Sequence, residues 1–210
     1  MRISPSKENI LKRIRKALSH STPLPFPAAE TDQPVFPALA QEPEVEFAEQ
    51  FTRLQGKFVY CINQQELAFQ LGSLIRKQDW QKIFCAETTL LGPLAAQFAE
   101  QFTGDLASCD VAVTGCECLV ARTGSIVLSS AQASGRTGSV YAPVHVCIGF
   151  SQQVKPDIRE ALIYLKEKYG SEFPSLVTFA TGPSRTADIE KTLVVGVHGP
   201  REVYCFLVEN

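Results

Sequence analysis

The 210-residue chain has no apolar run approaching the ~18 residues that cross a bilayer, which excludes a helical membrane span. It has no excess of either charge. Against 22 Asp+Glu stand 20 Lys+Arg, a formal net charge of −2, so the polybasic footprint of a general nucleic-acid binder is missing. The basic start (Arg2, Lys7, Lys12, Arg13) is followed by no apolar stretch, and a secretory signal is not expected. There is no Cys-x-x-Cys and no histidine pair at helical spacing, so no metal site is expected. Phosphate-binding P-loop and dinucleotide spacings are missing too, and nothing licenses a nucleotide. No Gly-x-Ser-x-Gly elbow is present to make Ser139 or Ser184 a hydrolase nucleophile. Histidine is scarce, with three in all.

What is present is a chain that is 45% hydrophobic, enough for a real core, with seven cysteines. An odd number of scattered cysteines reads as free thiols in a reducing compartment, so a cytoplasmic location is expected. Charge is unevenly placed. Residues 1–16 hold six basic residues and one acid, whereas 17–52 hold six acids and no Lys or Arg. Six of the thirteen prolines fall between Pro23 and Pro43, a density that favours an extended tether. Ser4 as cap, Pro5 at the first helical position and Ile10, Leu11, Ile14, Ala17 and Leu18 on one face predict a basic amphipathic helix. A lone helix of this length is marginal and needs a partner surface. The expected division is therefore a basic helix with an acidic, proline-rich arm over 1–45 and a globular domain over 46–210.

From residue 45 onward, short apolar runs alternate with helical periodicity. Helices are expected at 45–54, 64–77, 90–102 and 157–169. Strands are expected at 57–62, 83–86, 110–113, 117–121, 125–129, 144–149, 176–180 and 203–208. Such alternation predicts an α/β domain with a largely parallel, covered sheet. In open sheets of this kind ligands sit outside the strand carboxyl ends, so chemistry is sought in loops that follow strands.

Four loops draw attention: Ala121-Arg-Thr-Gly-Ser125; Ser134-Gly-Arg-Thr-Gly-Ser139 with Pro143-Val-His145; Thr181-Gly-Pro-Ser-Arg-Thr-Ala-Asp-Ile-Glu190; and Gly196-Val-His-Gly-Pro200. Glycine beside Ser or Thr lets successive amides face one concavity, and arginine adds a planar fork that matches carboxylate or phosphate. The expected ligand-binding set is Thr123, Gly124, Ser125, Arg136, His145, Ser184, Arg185, Thr186 and Asp188. The alternative is that the glycines only turn the chain and the arginines are solvated. His145 and His198 read either as general acid/base groups or as histidines satisfying local backbone. Asp188 reads as a helix cap, as a partner of Arg185 or as catalytic. Glu117, an acid in an apolar run, is a candidate acid, base or nucleophile whose pKa burial would raise, unless it faces solvent.

The run 181–190 followed by Gly196-Val-His-Gly-Pro200 resembles the C-terminal signature of the LUD domain, the lactate-utilisation protein C family. Ala121-Arg-Thr-Gly-Ser125 resembles a segment usually written Ala-Glu-Thr-Gly-Thr in that family, and Gly135-Arg136 with Pro143-Val-His145 resembles its arginine and Pro-x-His segment. The likeness runs over about residues 45–210. It implies a three-layer α/β/α fold like that of sugar-phosphate isomerases and CoA transferases. It implies a role in oxidation of L-lactate to pyruvate, within a system whose partner subunits carry iron–sulfur clusters. One departure is Arg122, where the family has glutamate.

Two functions are weighed on this basis. In the first, the chain is a non-redox component of the lactate-oxidising system with no cofactor of its own, a small carboxylate or phosphate site, and iron–sulfur subunits as partners. Its N-terminal arm would serve docking or homo-oligomer formation; neither nucleic acid nor membrane is an expected partner. In the second, it is a free-standing enzyme on a small anionic substrate, with Glu117 or His198 as the acid/base. Fold alone does not decide between them.

Overall fold

Val, Ile, Phe and Cys cluster in the short runs expected to be strands, and most of these runs pair side by side in one direction. The structure, a computed structural model, describes residues 5–19, 37–92, 94–189 and 192–209. The chain divides into two units, Met1–Ala38 and Leu39–Asn210. In the first, helix α1 (Pro5–Leu18) carries Ile10, Ile14 and Leu18 as an exposed apolar stripe beside its lysines and arginines. The expected Ser4 cap and most of the proline-rich arm, residues 20–36, lie outside the described residues.

The second unit begins with α2 (Pro43–Arg53), β1 (Lys57–Cys61), α3 (Gln64–Gln78) and β2 (Ile83–Phe84). Short α4 (Leu94–Gln97), β3 (Phe102–Thr103), β4 (Val111–Thr114), β5 (Cys118–Val120) and β6 (Ser125–Ser129) follow. The chain ends with β7 (Val144–Phe150), β8 (Val154–Lys155), α5 (Ile158–Tyr169), β9 (Val177–Ala180), β10 (Arg185–Ile189), β11 (Thr192–Val195) and β12 (Glu202–Val208). A six-stranded sheet runs in the order β1-β12-β7-β4-β2-β3, and every pairing in it is parallel. A second, four-stranded sheet, β8-β5-β6-β9, is antiparallel except where β8 joins β5.

Alternation along each central strand decides what covers it. Val144, Val146 and Ile148 of β7, with Val111 and Val113 of β4, face the core built with Leu67, Leu71 and Ile75 of α3. Cys147 of β7 and Val203, Cys205 and Leu207 of β12 face the opposite way. There they meet Phe47 and Phe51 of α2 together with Leu119, Ile126 and Leu128 of the second sheet. Behind that sheet, Cys118, Val120 and Val127 pack on Ala161 and Leu165 of α5. The α/β class and largely parallel sheet are thus as expected, and the structure adds a second sheet between the main sheet and α5. The thiols in this interior act as small hydrophobes, with burial pushing Cys118 up to about 12.

Helix ends follow their sequence signals. Asn63 accepts from the Glu66 amide while the Glu66 carboxylate accepts from the Ile62 amide, which fixes the start of α3. Asp157 accepts from the amides of Arg159 and Glu160 at the start of α5. The continuous helix expected over 90–102 is instead the single-turn α4 flanked by 3-10 turns, interrupted where Gly92 takes φ +48°. Strand β10, which lies within the run 181–190 read as loop, pairs antiparallel with β11, and among the described residues these two strands pair only with each other.

Candidate functional site

Three of the four loops meet. The β5–β6 hairpin turn, Ala121 to Ser125, lies beneath the end of α2. Thr123 Oγ1 and Ser125 Oγ are 2.8 Å apart, and Ser125 Oγ is 2.8 Å from Thr181 Oγ1, so a ladder of three hydroxyls joins the first loop to the third. Gly124 and Gly182 make this approach feasible. Both have positive φ, and a Cβ on either would fall 2.5 Å from the Phe51 nitrogen or 2.6 Å from the Leu54 oxygen. Arg185 extends the same contact, donating to the Leu54 carbonyl oxygen at 2.7 Å from an exposed position.

The third loop is tied to the fourth. Ser184 N–H donates to Pro200 O and Gly196 N–H donates to Ser184 O, each at 2.9 Å. Arg201 N–H donates to Pro143 O at 2.9 Å, which brings in the segment preceding β7. Between them lies a cavity of about 490 Å³ bordered by Tyr141, Pro143, Gly196, Val197, His198 and Gly199. The amides of Val197, His198 and Gly199 donate to no backbone carbonyl among the described residues, and the His198 ring is exposed. Unspent successive amides beside an imidazole form a concavity that suits a small anion. Thr186 and Asp188 lie on β10, but their side chains fall outside what the structure describes.

Of the second loop, Pro143 borders this cavity, whereas the part from Ser134 to Ser139 stands apart. Ser125 and Ser129 are opposite ends of β6, about 13 Å apart at ~3.3 Å per residue, and the loop after Ser129 leaves from the far end. There Arg136 donates to Ser175 Oγ at 2.6 Å, just before β9, whereas Arg185 lies past the other end of that strand. The two arginines therefore do not form one clamp. The joined loops also sit by the amino ends of the main-sheet strands, since Leu54 precedes β1, Pro143 precedes β7 and Pro200 precedes β12. The expectation of a site at the carboxyl ends is corrected for these loops. They belong to the second sheet and to the β10–β11 hairpin, to which the parallel-sheet rule does not apply.

His145 is buried in β7. Its Nε2 is 2.8 Å from Thr114 Oγ1, and the Thr114 hydroxyl donates to Gly115 O at 2.8 Å, which assigns the proton to Nε2. Nδ1 has no hydrogen-bond partner among the described residues, and burial lowers the pKa to about 4. A neutral, enclosed ring is poorly placed as a general base near pH 7.

Glu117 is also buried, but its expected pKa rise is overturned. Burial pushes the carboxyl up, yet Lys168 (2.7 Å), Ser129 (2.5 Å) and Tyr169 (2.7 Å) all donate to it and hold it below its ordinary value. Three strong donors stabilise the carboxylate more than burial disfavours it. Its oxygens are already engaged, so the geometry describes an internal ion pair joining α5 to the second sheet. One residue that sequence reasoning passed over is Glu87, after β2. Its carboxylate accepts from the amides of Gly115 (2.9 Å) and Ser134 (3.3 Å), anchoring the second loop to the end of β4. No local motif marks it, because its partners are backbone amides 28 and 47 residues away.

Residues 84–208, including every part of the joined loops, match the LUD domain. The chain belongs to the LUD-domain family. Its similarity to lactate utilization protein C of Bacillus licheniformis is 36% identity over 103 residues, 48% of this chain and 43% of that protein. With lactate utilization protein C of Bacillus subtilis it is 31% identical over 144 residues, 68% of this chain and 58% of that protein. The matched stretches thus span about half the length of these relatives. A crystal structure of a DUF162 family protein from Deinococcus radiodurans shares the fold, with a TM-score of 0.59 at 17% identity over 80% of this chain and 96% of that one. No helix among the described residues is long and apolar enough to cross a membrane. Arg122, where LUD-domain proteins were expected to carry glutamate, donates its amide to Pro156 O at 3.1 Å. Its charge is a lesser contribution beside the Gln50 and Gln41 hydrogen bonds that lower the Glu46 pKa.

Proposed function

We propose that this LUD-domain protein acts in lactate utilisation, as a non-redox component of a system that oxidises L-lactate to pyruvate through iron–sulfur partner subunits in the cytoplasm. The similarity to proteins named lactate utilization protein C supports the role. The observation that carries the site is that Ser184, which accepts from the Gly196 amide, joins the Thr123–Ser125–Thr181 hydroxyls and Arg185 to the turn holding the Val197, His198 and Gly199 amides. Hydroxyl and amide donors with one guanidinium suit a small carboxylate or phosphate. The protein supplies binding and orientation, and the electrons pass through its partners. The free-standing enzyme draws less support, because Glu117 is engaged by Lys168 and His145 is enclosed, which leaves His198 as the accessible acid/base.

A thermal-shift series with L-lactate, pyruvate and inorganic phosphate tests the site. A ligand at ~100 times its Kd stabilises the fold by about 2.7 kcal/mol, or several degrees. The expected result is a rise with a small carboxylate that Arg185→Ala and His198→Ala each diminish and Arg136→Ala does not. An equal rise in all three variants would place the anion elsewhere.

A further inference from the structure

At the opposite, carboxyl end of the main sheet lies a groove between α2 and β1, the edge strand. Its volume is about 580 Å³, and it is lined by Val45, Ala48, Phe58 and Tyr60 together with Glu44, Ser151 and Glu209. No Lys, Arg or His is among the described residues that line it. The Tyr60 hydroxyl donates to Glu209 at 2.6 Å. That hydrogen bond, with the charges of Glu209, Glu44 and Glu66, pushes the phenol above its ordinary range. The groove thus combines an apolar lining with two carboxylates. Val45 is 47% and Tyr60 44% exposed, too much for side chains of their kind to be a finished core. A small carboxylate such as the ligand of the proposed anion site would be repelled here.

The same chain carries the complementary object. Helix α1 presents Ile10 (58% exposed), Ile14 (48%) and Leu18 (79%) at i, i+4 and i+8, flanked by five basic residues against one acid. A 14-residue helix of this kind is marginal without a surface to bury its stripe. We propose that the groove receives helix Pro5–Leu18 of a second copy of the chain, so that two copies exchange helices about a two-fold axis. The apolar stripe covers Val45 and Tyr60, and the lysines and arginines meet Glu44 and Glu209. Each copy gives one helix and one groove, so the contact closes at two chains and leaves neither feature unpaired. The helix also shields the edge of β1, which otherwise offers unpaired backbone groups to any strand.

Sedimentation velocity of the full chain across micromolar concentrations tests this. The expected result is a dimer that shifts to the monomer value in Ile14→Asp and, separately, in Val45→Asp. Both positions are exposed, so each variant should keep the wild-type far-ultraviolet circular dichroism, and its thermal unfolding should fall only by the stabilisation that association supplies. Mixing the two variants should restore association, because Ile14→Asp retains an intact groove and Val45→Asp an intact helix. High salt should weaken the dimer. A wild-type chain that stays monomeric, a Val45→Asp variant that still dimerises, or a mixture that does not reassociate would each overturn the exchange.

Discussion

Lys168 Nζ lies 2.7 Å from Glu117 Oε2, and while the lysine side chain is 43% exposed the glutamate has no exposed surface. The pair ties α5 to the sheet behind which it packs, with Ser129 and Tyr169 completing the carboxylate's shell. Removing the lysine leaves a buried charge short of its counter-ion. Lys168→Ala should cost about 3 kcal/mol, the low end for breaking a buried pair, because solvent already reaches Lys168. Lys168→Arg should recover most of it. The folded pKa of Glu117 is depressed, so its contribution is present above the ordinary value of 4.5 and is lost as pH falls through the lower folded value. Urea unfolding of the wild type and both variants at neutral and acid pH checks the sizes and the window.

His145 acts in a different window. Burial holds its folded pKa at about 4 against an ordinary 6.5, so between those values the unfolded chain binds a proton that the folded chain refuses. Its contribution is complete above 6.5 and is lost as pH falls toward 4, by about 3 kcal/mol. His145→Gln should flatten the stability profile over that interval. A variant with the same slope as the wild type would show that His145 does not set it.

The amino-acid sequence made most elements of the α/β domain legible, because buried parallel strands such as β7 and β12 are near-continuous apolar runs and α3 and α5 carry side-chain caps. It did not reveal which strands share a sheet. The β5 and β6 runs are as apolar as those of the main sheet, and the pairing of β6 with β9 joins residues some 50 positions apart. The same blindness affected the site. Arg136 and Arg185 have the same local chemistry, yet β9 separates them. Ser125 and Thr181, which lie 56 residues apart in two separate loops, touch. Glu117 looked like an acid awaiting a role because its donors, Lys168 and Tyr169, come from a helix 51 and 52 residues on.

Gly124→Ala tests how closely the first loop must approach α2. The added Cβ would fall 2.5 Å from the Phe51 backbone nitrogen at φ +59°, and neither atom is the end of a flexible side chain. A loss of at least about 2 kcal/mol is expected, together with loss of any carboxylate-induced thermal shift. Stability within about 0.5 kcal/mol of the wild type would mean that the loop yields freely.

Arg185→Ala should be mild by comparison. One exposed side chain and its hydrogen bond to Leu54 O are worth about 1 kcal/mol, so the fold should persist while anion binding fails. Unfolding of this variant at room temperature would make Arg185 a structural residue.

Growth is the most direct measurement of the account as a whole. A host in which this gene is deleted should fail on L-lactate as sole carbon source and grow normally on pyruvate. The wild-type chain should restore growth on lactate, and Arg185→Ala and His198→Ala should restore it poorly at equal protein levels. Unimpaired growth of the deletion strain on L-lactate, in a host with no second route for its oxidation, would contradict the lactate-utilisation role.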